Sequence, residues 1–250
     1  MAQSTAADTT GERRVVALVP AFNEEASIAC VVGGIRAAVP GIDVLVIDDG
    51  SADDTTAIAR AAGARVVRLP FNMGYGVALQ TGYKYALREG YDAVVQLDGD
   101  GQHETADIPA LLAPVTAGAA DVVLGSRFIG ARAYRPPVLR RLGMRVFGTL
   151  ARLLGGIRFS DVTSGFQALD RDVVRFFAGD RYPKDYPDAD VLMMVRGAGF
   201  RIAEVPVRMY QRTAGASMHA GWKPVYYVFK MLLSMGLTAV RRESFERRGA

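Results

Sequence analysis

Asp98 and Asp100 stand two residues apart in VVQLDGDGQH, residues 94–103. Val94, Val95 and Leu97 suit a buried strand, so the carboxylates arrive where the chain leaves its core. Two carboxylates at this spacing can converge on a hard divalent cation, which takes oxygen ligands and often shares them with substrate phosphates. Gln102 and His103 stand close by. The plain alternative is a polar turn with the aspartates as caps, and a short motif alone does not choose between them.

The elements around this pair help to choose. VVALVP (15–20), DVLVID (43–48), ARVVRL (64–69), DAVVQLD (92–98) and DVVLG (121–125) read as buried strands. Amphipathic helices are expected between them over 24–39, 52–63, 76–90 and 105–117, with Gly63 and Gly90 as stops. Short apolar runs alternating with helices imply parallel βαβ units, helices covering both sheet faces. In such sheets ligands bind beyond the carboxyl ends of the strands. Those ends read PAFNEE, DDGSADDT, PFNMGYG and DGDGQH. One polar strand end is ordinary turn chemistry; four on one edge point to one site. The turn after the first strand lacks G-x-G-x-x-G, and no Walker sequence occurs, which disfavours a dinucleotide-binding dehydrogenase and a P-loop enzyme.

The chain has 250 residues, half of them apolar, enough for one large domain or two small ones. Its single cysteine, Cys30, rules out an intrachain disulfide and reads as a small buried hydrophobe. The polar N-terminus lacks a signal-peptide core. The longest apolar stretch, 225–240, is interrupted by Lys230 and falls short of the ~20 residues of a spanning helix. A cytoplasmic protein is expected, with membrane-surface contact left open. Net charge is +4, but its distribution says more. Between Val122 and Ser160 there is no Asp or Glu, while Arg127, Arg132, Arg135, Arg140, Arg141, Arg145, Arg152 and Arg158 all fall there. Arginine's planar fork suits phosphate; a solvated basic loop or a nucleic-acid patch is the alternative.

Taken in order, LVPAFNEE, VIDDGSADDT, NMGYGVALQTGYKYA, VVQLDGDGQH, LGSRF, DVTSGFQAL and EVPVRMYQRTAGAS resemble a glycosyltransferase of family 2 with the GT-A fold, from about Val15 to Lys230. Within it, the chain is similar to the dolichyl- or polyprenyl-phosphate mannose or glucose synthases. The resemblance implies an α/β, Rossmann-like nucleotide-diphospho-sugar transferase fold with a mostly parallel sheet. It implies an enzyme that moves a hexose from a UDP- or GDP-linked donor to a polyprenyl phosphate with inversion. Pro20, Ala21, Asn23 and Glu24 would frame the nucleotide, Asp49 would meet its base or ribose, and Gly74 belongs to the same donor side. Asp98 and Asp100 match the Asp-x-Asp motif for Mg2+ or Mn2+, with Gln102 as an added ligand. Arg127 and Arg141 match acceptor-phosphate positions, Arg140 being a close competitor. Ser164, Gly165 and Phe166 would line the acceptor side; Gln167 stands where many relatives have arginine. Arg212 and Ser217 match a segment that closes over the diphosphate, and His219 follows it. Asp190, or its neighbour Asp188, would be the base for a hydroxyl acceptor, or a helix cap or partner of the arginines.

The expected organisation is a tail over 1–14, one domain over 15–240 and a basic tail over 241–250. Within the domain, 15–125 is the donor half, 126–221 the acceptor half and 222–240 an amphipathic helix. That helix, with Trp222, Tyr226 and Phe229, suits a membrane interface, a packing face or a homodimer contact equally. The rival readings are transfer to a glycan or small-molecule hydroxyl, and a non-catalytic nucleotide-binding scaffold. A nucleic-acid module is disfavoured by the acidic strand ends.

Overall fold

The computed structural model describes residues 13–129, 159–161, 164–184 and 189–210, with backbone alone for 189 and 190. Arg140, Arg141, Asp188, Arg212, Ser217, His219, the side chain of Asp190, the expected helix over 222–240 and both tails lie outside the described residues.

The strands are β1 (Val15–Ala21), β2 (Asp43–Asp48), β3 (Arg65–Arg68), β4 (Ala93–Gln96), β5 (Val122–Ser126), β6 (Gln167–Asp170) and β7 (Ile202–Pro206). The helices are α1 (Ile28–Ala38), α2 (Thr55–Ala61), α3 (Tyr75–Arg88), α4 (Ile108–Thr116), α5 (Arg171–Phe177) and α6 (Ala189–Gly197). Among the described residues these seven strands join one sheet in the order β3-β2-β1-β4-β6-β5-β7. β1 pairs in parallel with both β2 and β4, so the strand order reverses beside β1. That reversal opens the crevice in which such sheets bind ligands.

The β1 sequence VVALVPA is buried along almost its whole length, as a central parallel strand must be. Its residues alternate between two cores. Val16 and Leu18 join Leu45, Ile47, Val94, Tyr83 and Phe177 on one face. Ala17 and Val19 join Val44, Val46, Val95, Ile28 and Ile35 on the other. Helices α3, α5 and α6 cover the first face, and α1, α2 and α4 the second.

Three outcomes differ from the sequence reading. Helix α1 begins at Ile28, later than the apolar pattern suggested. The amides of Asn23, Glu24 and Glu25 donate instead to Ser51 Oγ (2.9 Å), Thr55 Oγ1 (2.8 Å) and Asp53 Oδ2 (3.2 Å), which draws that segment toward the loop after β2. Cys30 is exposed, not buried: Ile28, Val31, Val32 and Ile35 take the inner face, and position 30 falls outside it. The third is β6, which the sequence pattern did not show. It inserts antiparallel between β4 and β5.

Candidate active site

The loops after β1, β2 and β3 are tied to one another. Asn23 accepts the Ala52 N–H on Oδ1 at 2.8 Å and is the one described non-glycine residue with positive φ, 55°. Asn tolerates this region better than most residues. Asp48 is fully buried at the end of β2; it accepts the Ser51 N–H at 2.8 Å and a hydroxyl bond from Thr56. Asp49, the next residue, receives the Met73 N–H on Oδ1 at 2.7 Å and the Gly74 N–H on Oδ2 at 2.9 Å. Burial pushes the Asp49 carboxyl up; the two amides pull it down and Asp48 adds to the rise, leaving it above its ordinary value. Gly50 completes the junction with φ +73°: a Cβ there would lie 2.5 Å from the Phe71 carbonyl carbon. The polar strand ends DDGSADDT and PFNMGYG thus form one rigid rim.

Across the reversal, the ends of β1 and β4 meet. Ser27 Oγ donates to the Gly99 carbonyl at 2.7 Å, and the Gly99 N–H reaches the Pro20 carbonyl at 3.3 Å. Pro20, Ala21, Asn23, Glu24, Asp49, Gly74, Asp98 and Asp100 therefore share one edge, as expected from the sequence. Gln102 lies in the same loop; its N–H donates to Asp100 Oδ1 at 3.1 Å.

Asp98 is half-buried, with 31% of its side chain exposed. The Tyr75 hydroxyl donates to Oδ1 at 2.7 Å, and His103 Nε2 lies 3.3 Å from Oδ2. Burial pushes its carboxyl up, but the hydrogen bond and charge of His103, the Tyr75 hydroxyl and the charge of Arg127 outweigh it and hold it below the usual carboxylate range. Asp98 is thus an ionised hard oxygen donor at neutral pH. Among the described residues no group of three His, Cys, Asp or Glu side chains could hold a metal ion by itself. Two carboxylates that leave the remaining positions to phosphate and water suit Mg2+ or Mn2+, which keep such ligands.

The antiparallel β6 brings Ser164, Gly165 and Phe166 to this edge. Because Gln96 pairs with Gln167, the residues that precede β6 sit where β4 ends. A Cβ at Gly165 would lie 3.0 Å from Asp98 Oδ2 and 3.1 Å from the Tyr75 hydroxyl oxygen. Phe166 is fully buried, its ring centroid 5.0 Å from that of His103. Arg127 follows β5 on the same edge. Its guanidinium grips Asp161 bidentately, Nε to Oδ2 and Nη2 to Oδ1, both at 2.6 Å.

Tyr75 and Asp161 had no role in the sequence reading. Tyr75 stands inside GYG, where helix-period patterning shows no hydroxyl contact. Asp161 did leave a signal: it is the first acid after the arginine-rich stretch.

A doubly wound sheet with an Asp-x-Asp loop at its reversal and an antiparallel strand beside that loop is the GT-A arrangement of nucleotide-sugar transferases. Residues 16–177 match the family described as "Glycosyl transferase family 2", and the chain belongs to that family of glycosyltransferases. It is 33% identical to an undecaprenyl-phosphate mannosyltransferase of Micrococcus luteus, over 83% of this chain and 88% of the relative. It is 32% identical to a polyprenol monophosphomannose synthase of Mycolicibacterium smegmatis, over 84% of this chain and 82% of the relative. Among solved structures it resembles glucosyl-3-phosphoglycerate synthase of Mycobacterium tuberculosis in complex with Mn2+, UDP-glucose and phosphoglyceric acid. There the TM-score is 0.69 and the identity 25%, covering 90% of this chain and 80% of that one.

Proposed function

We propose that the enzyme transfers a hexose from a nucleoside diphosphate sugar to a polyprenyl phosphate, with inversion at the anomeric carbon. The observation that carries this reading is the placement of Asp98 at the strand reversal, with Gly165 of the β6 loop close against its carboxylate. Both mannosyltransferase relatives support the lipid phosphate acceptor and make mannose the first sugar to test. The donor's nucleoside end would lie on the rim of Pro20, Ala21, Asn23, Glu24, Asp49 and Gly74, with its diphosphate toward Asp98 and Asp100.

Asp98 and Asp100, with Gln102, would hold Mg2+ or Mn2+, which neutralises charge on a leaving nucleoside diphosphate. The structural relative was crystallised with Mn2+. An acceptor phosphate oxygen attacks the anomeric carbon as the bond to the donor's β-phosphate oxygen breaks; the diphosphate leaves with the electron pair. The attacking oxygen is already anionic near neutral pH, so the step needs positioning more than a strong base. Arg127 and Arg141 would supply that positioning, and Arg212 and Ser217 would close over the diphosphate. Asp190 would then orient other groups or cap its helix; with a hydroxyl acceptor it would be the base. Among the described residues no helix is long and apolar enough to cross a membrane. Access to a lipid acceptor would come through peripheral contact at the membrane face, with residues 222–240 as the contact.

A thermal-shift panel tests the donor half: UDP, GDP, UDP-glucose and GDP-mannose, with and without Mn2+, on wild type and on Asp98→Ala/Asp100→Ala. A ligand at a hundred times its dissociation constant adds ~2.7 kcal/mol to apparent stability. A Mn2+-dependent shift with one nucleotide, lost in the double variant, is expected. Label transfer from that donor to undecaprenyl phosphate, against 3-phosphoglycerate as a non-lipid acceptor, tests the other half. Transfer to the second alone would reject the lipid reading.

A further inference from the structure

Asp49 and Asp98 end different strands, with β1 between them, yet one short segment touches both. Met73 and Gly74 give their N–H groups to the two oxygens of Asp49, at 2.7 and 2.9 Å. The next residue, Tyr75, opens α3 and gives its hydroxyl proton to Asp98 Oδ1 at 2.7 Å. The phenol is itself oriented. Gln96 Nε2 lies 3.4 Å from the Tyr75 oxygen and 3.2 Å from the Gly165 carbonyl, which can only accept. Gln96 Oε1 in turn accepts the hydroxyl of Tyr83, which is fully buried. Gln96 thus donates to the Tyr75 oxygen, and the Tyr75 hydroxyl donates to Asp98.

A second contact of Asp98 is longer. His103 Nε2 is farther away, at 3.3 Å, and Nδ1 is buried with no hydrogen-bond partner among the described residues. The hydroxyl of Tyr75 is thus the shorter of these two contacts to Asp98. Its backbone neighbours are the restraint on Asp49.

We propose that Tyr75 is a positioning residue for Asp98, and that residues 73–75 set the relation between the two carboxylates that meet the opposite ends of the donor. The proposal takes Asp98 as the contact of the donor's diphosphate and cation, as in the reading above. A partner that orients a ligating group through a hydrogen bond is worth about ten- to a hundredfold in metal affinity.

Tyr75→Phe removes one oxygen and keeps a ring that packs against the first core. The full chain and this variant are titrated with UDP and GDP, once with Mn2+ and once with EDTA, and the variant is crystallised. For whichever nucleotide binds, the Mn2+-dependent affinity is expected to fall about ten- to a hundredfold, with the affinity in EDTA unchanged. In the crystal, Asp98 is expected to leave its present rotamer while residues 73–74 stay on Asp49. Equal loss with and without Mn2+ would mean a merely structural role and overturn the proposal, as would an Asp98 that keeps its rotamer and its Mn2+-dependent affinity. If wild type shows no metal-dependent nucleotide binding, the donor reading falls, and the Asp98 rotamer in the variant crystal alone decides the role of Tyr75.

Discussion

Arg127 and Asp161 form a two-pronged ion pair at the edge of the site, 34 residues apart in sequence, and Asp161 also accepts the Arg127 N–H at 3.1 Å. The Asp161 side chain is fully buried and that of Arg127 is 15% exposed. Removing one partner of such a pair leaves a desolvated charge behind, at a cost of about 3–5 kcal/mol. Asp161→Ala is therefore expected to lower the unfolding free energy by that amount in urea denaturation. A change below ~1 kcal/mol would show that water reaches the guanidinium and that the pair is not a structural anchor.

Gly50 is where the rims after β2 and β3 meet. An alanine there faces a left-handed backbone, φ +73°, and a Cβ 2.5 Å from the carbonyl carbon of Phe71. The conformation alone costs about 1–2 kcal/mol, and the contact adds to it. Gly50→Ala is expected to lose at least ~2 kcal/mol in thermal or urea unfolding and to weaken nucleotide binding, since Asp49 holds residues 73 and 74 through the same junction. Unaltered nucleotide affinity in a destabilised variant would separate the rim from the donor.

Residues 208–210 are fastened to the Asp-x-Asp loop. The Tyr210 N–H donates to the Gln102 carbonyl at 2.8 Å, and the Tyr210 hydroxyl to Glu104 Oε2 at 2.6 Å. That hydroxyl, the Ala106 amide and Arg208 hold the Glu104 carboxyl below its ordinary value of 4.5, against the opposing effect of burial. A carboxylate lowered by folding stabilises the native state at pH above its unfolded value. Its contribution is lost as pH falls through the folded value. In Tyr210→Phe the Glu104 carboxyl should titrate closer to 4.5 in an NMR titration of glutamate Cδ, and the acid limb of the stability curve should flatten. An unmoved Glu104 titration would mean that Tyr210 does not hold this loop.

Phe166 fills the second core directly beneath His103. Phe→Ala in a fully buried site costs about 3–5 kcal/mol. Phe166→Leu keeps most of the volume and should cost less than ~1.5 kcal/mol. Comparing the two by denaturation, alongside Mn2+-dependent nucleotide binding, separates packing from support of the His103 ring. Equal stabilities for both variants would contradict the close packing of this site.

Much of the polar strand-end edge was legible in the chain itself. VVALVP, DVLVID and DAVVQLD are apolar runs bounded by turn residues, and β1, β2 and β4 form there. An apolar run of that length has few other uses, and alternation with helices fixes the parallel sheet and so the edge on which Asn23, Asp49, Asp98 and Asp100 gather. The start of α1 was less legible because helical periodicity continues through Glu24 and Glu25, whose amides turn instead to the loop after β2. Cys30 was misplaced for a related reason: an apolar residue in a helix has no face until the buried stripe is known.

What the sequence determined is local: which runs are strands, which helices cover them, and that the polar residues fall at strand ends. Periodicity and turn chemistry act over a few residues and can be read from them. What only the tertiary structure decided is which distant groups touch. QALD, residues 167–170, is too short to announce a strand, yet its antiparallel pairing with β4 sets Gly165 against Asp98. The Tyr75–Asp98 contact and the Arg127–Asp161 pair likewise join residues from separate elements. Such contacts follow from strand order and direction, set by the burial of both sheet faces together, and no window of neighbouring residues encodes them.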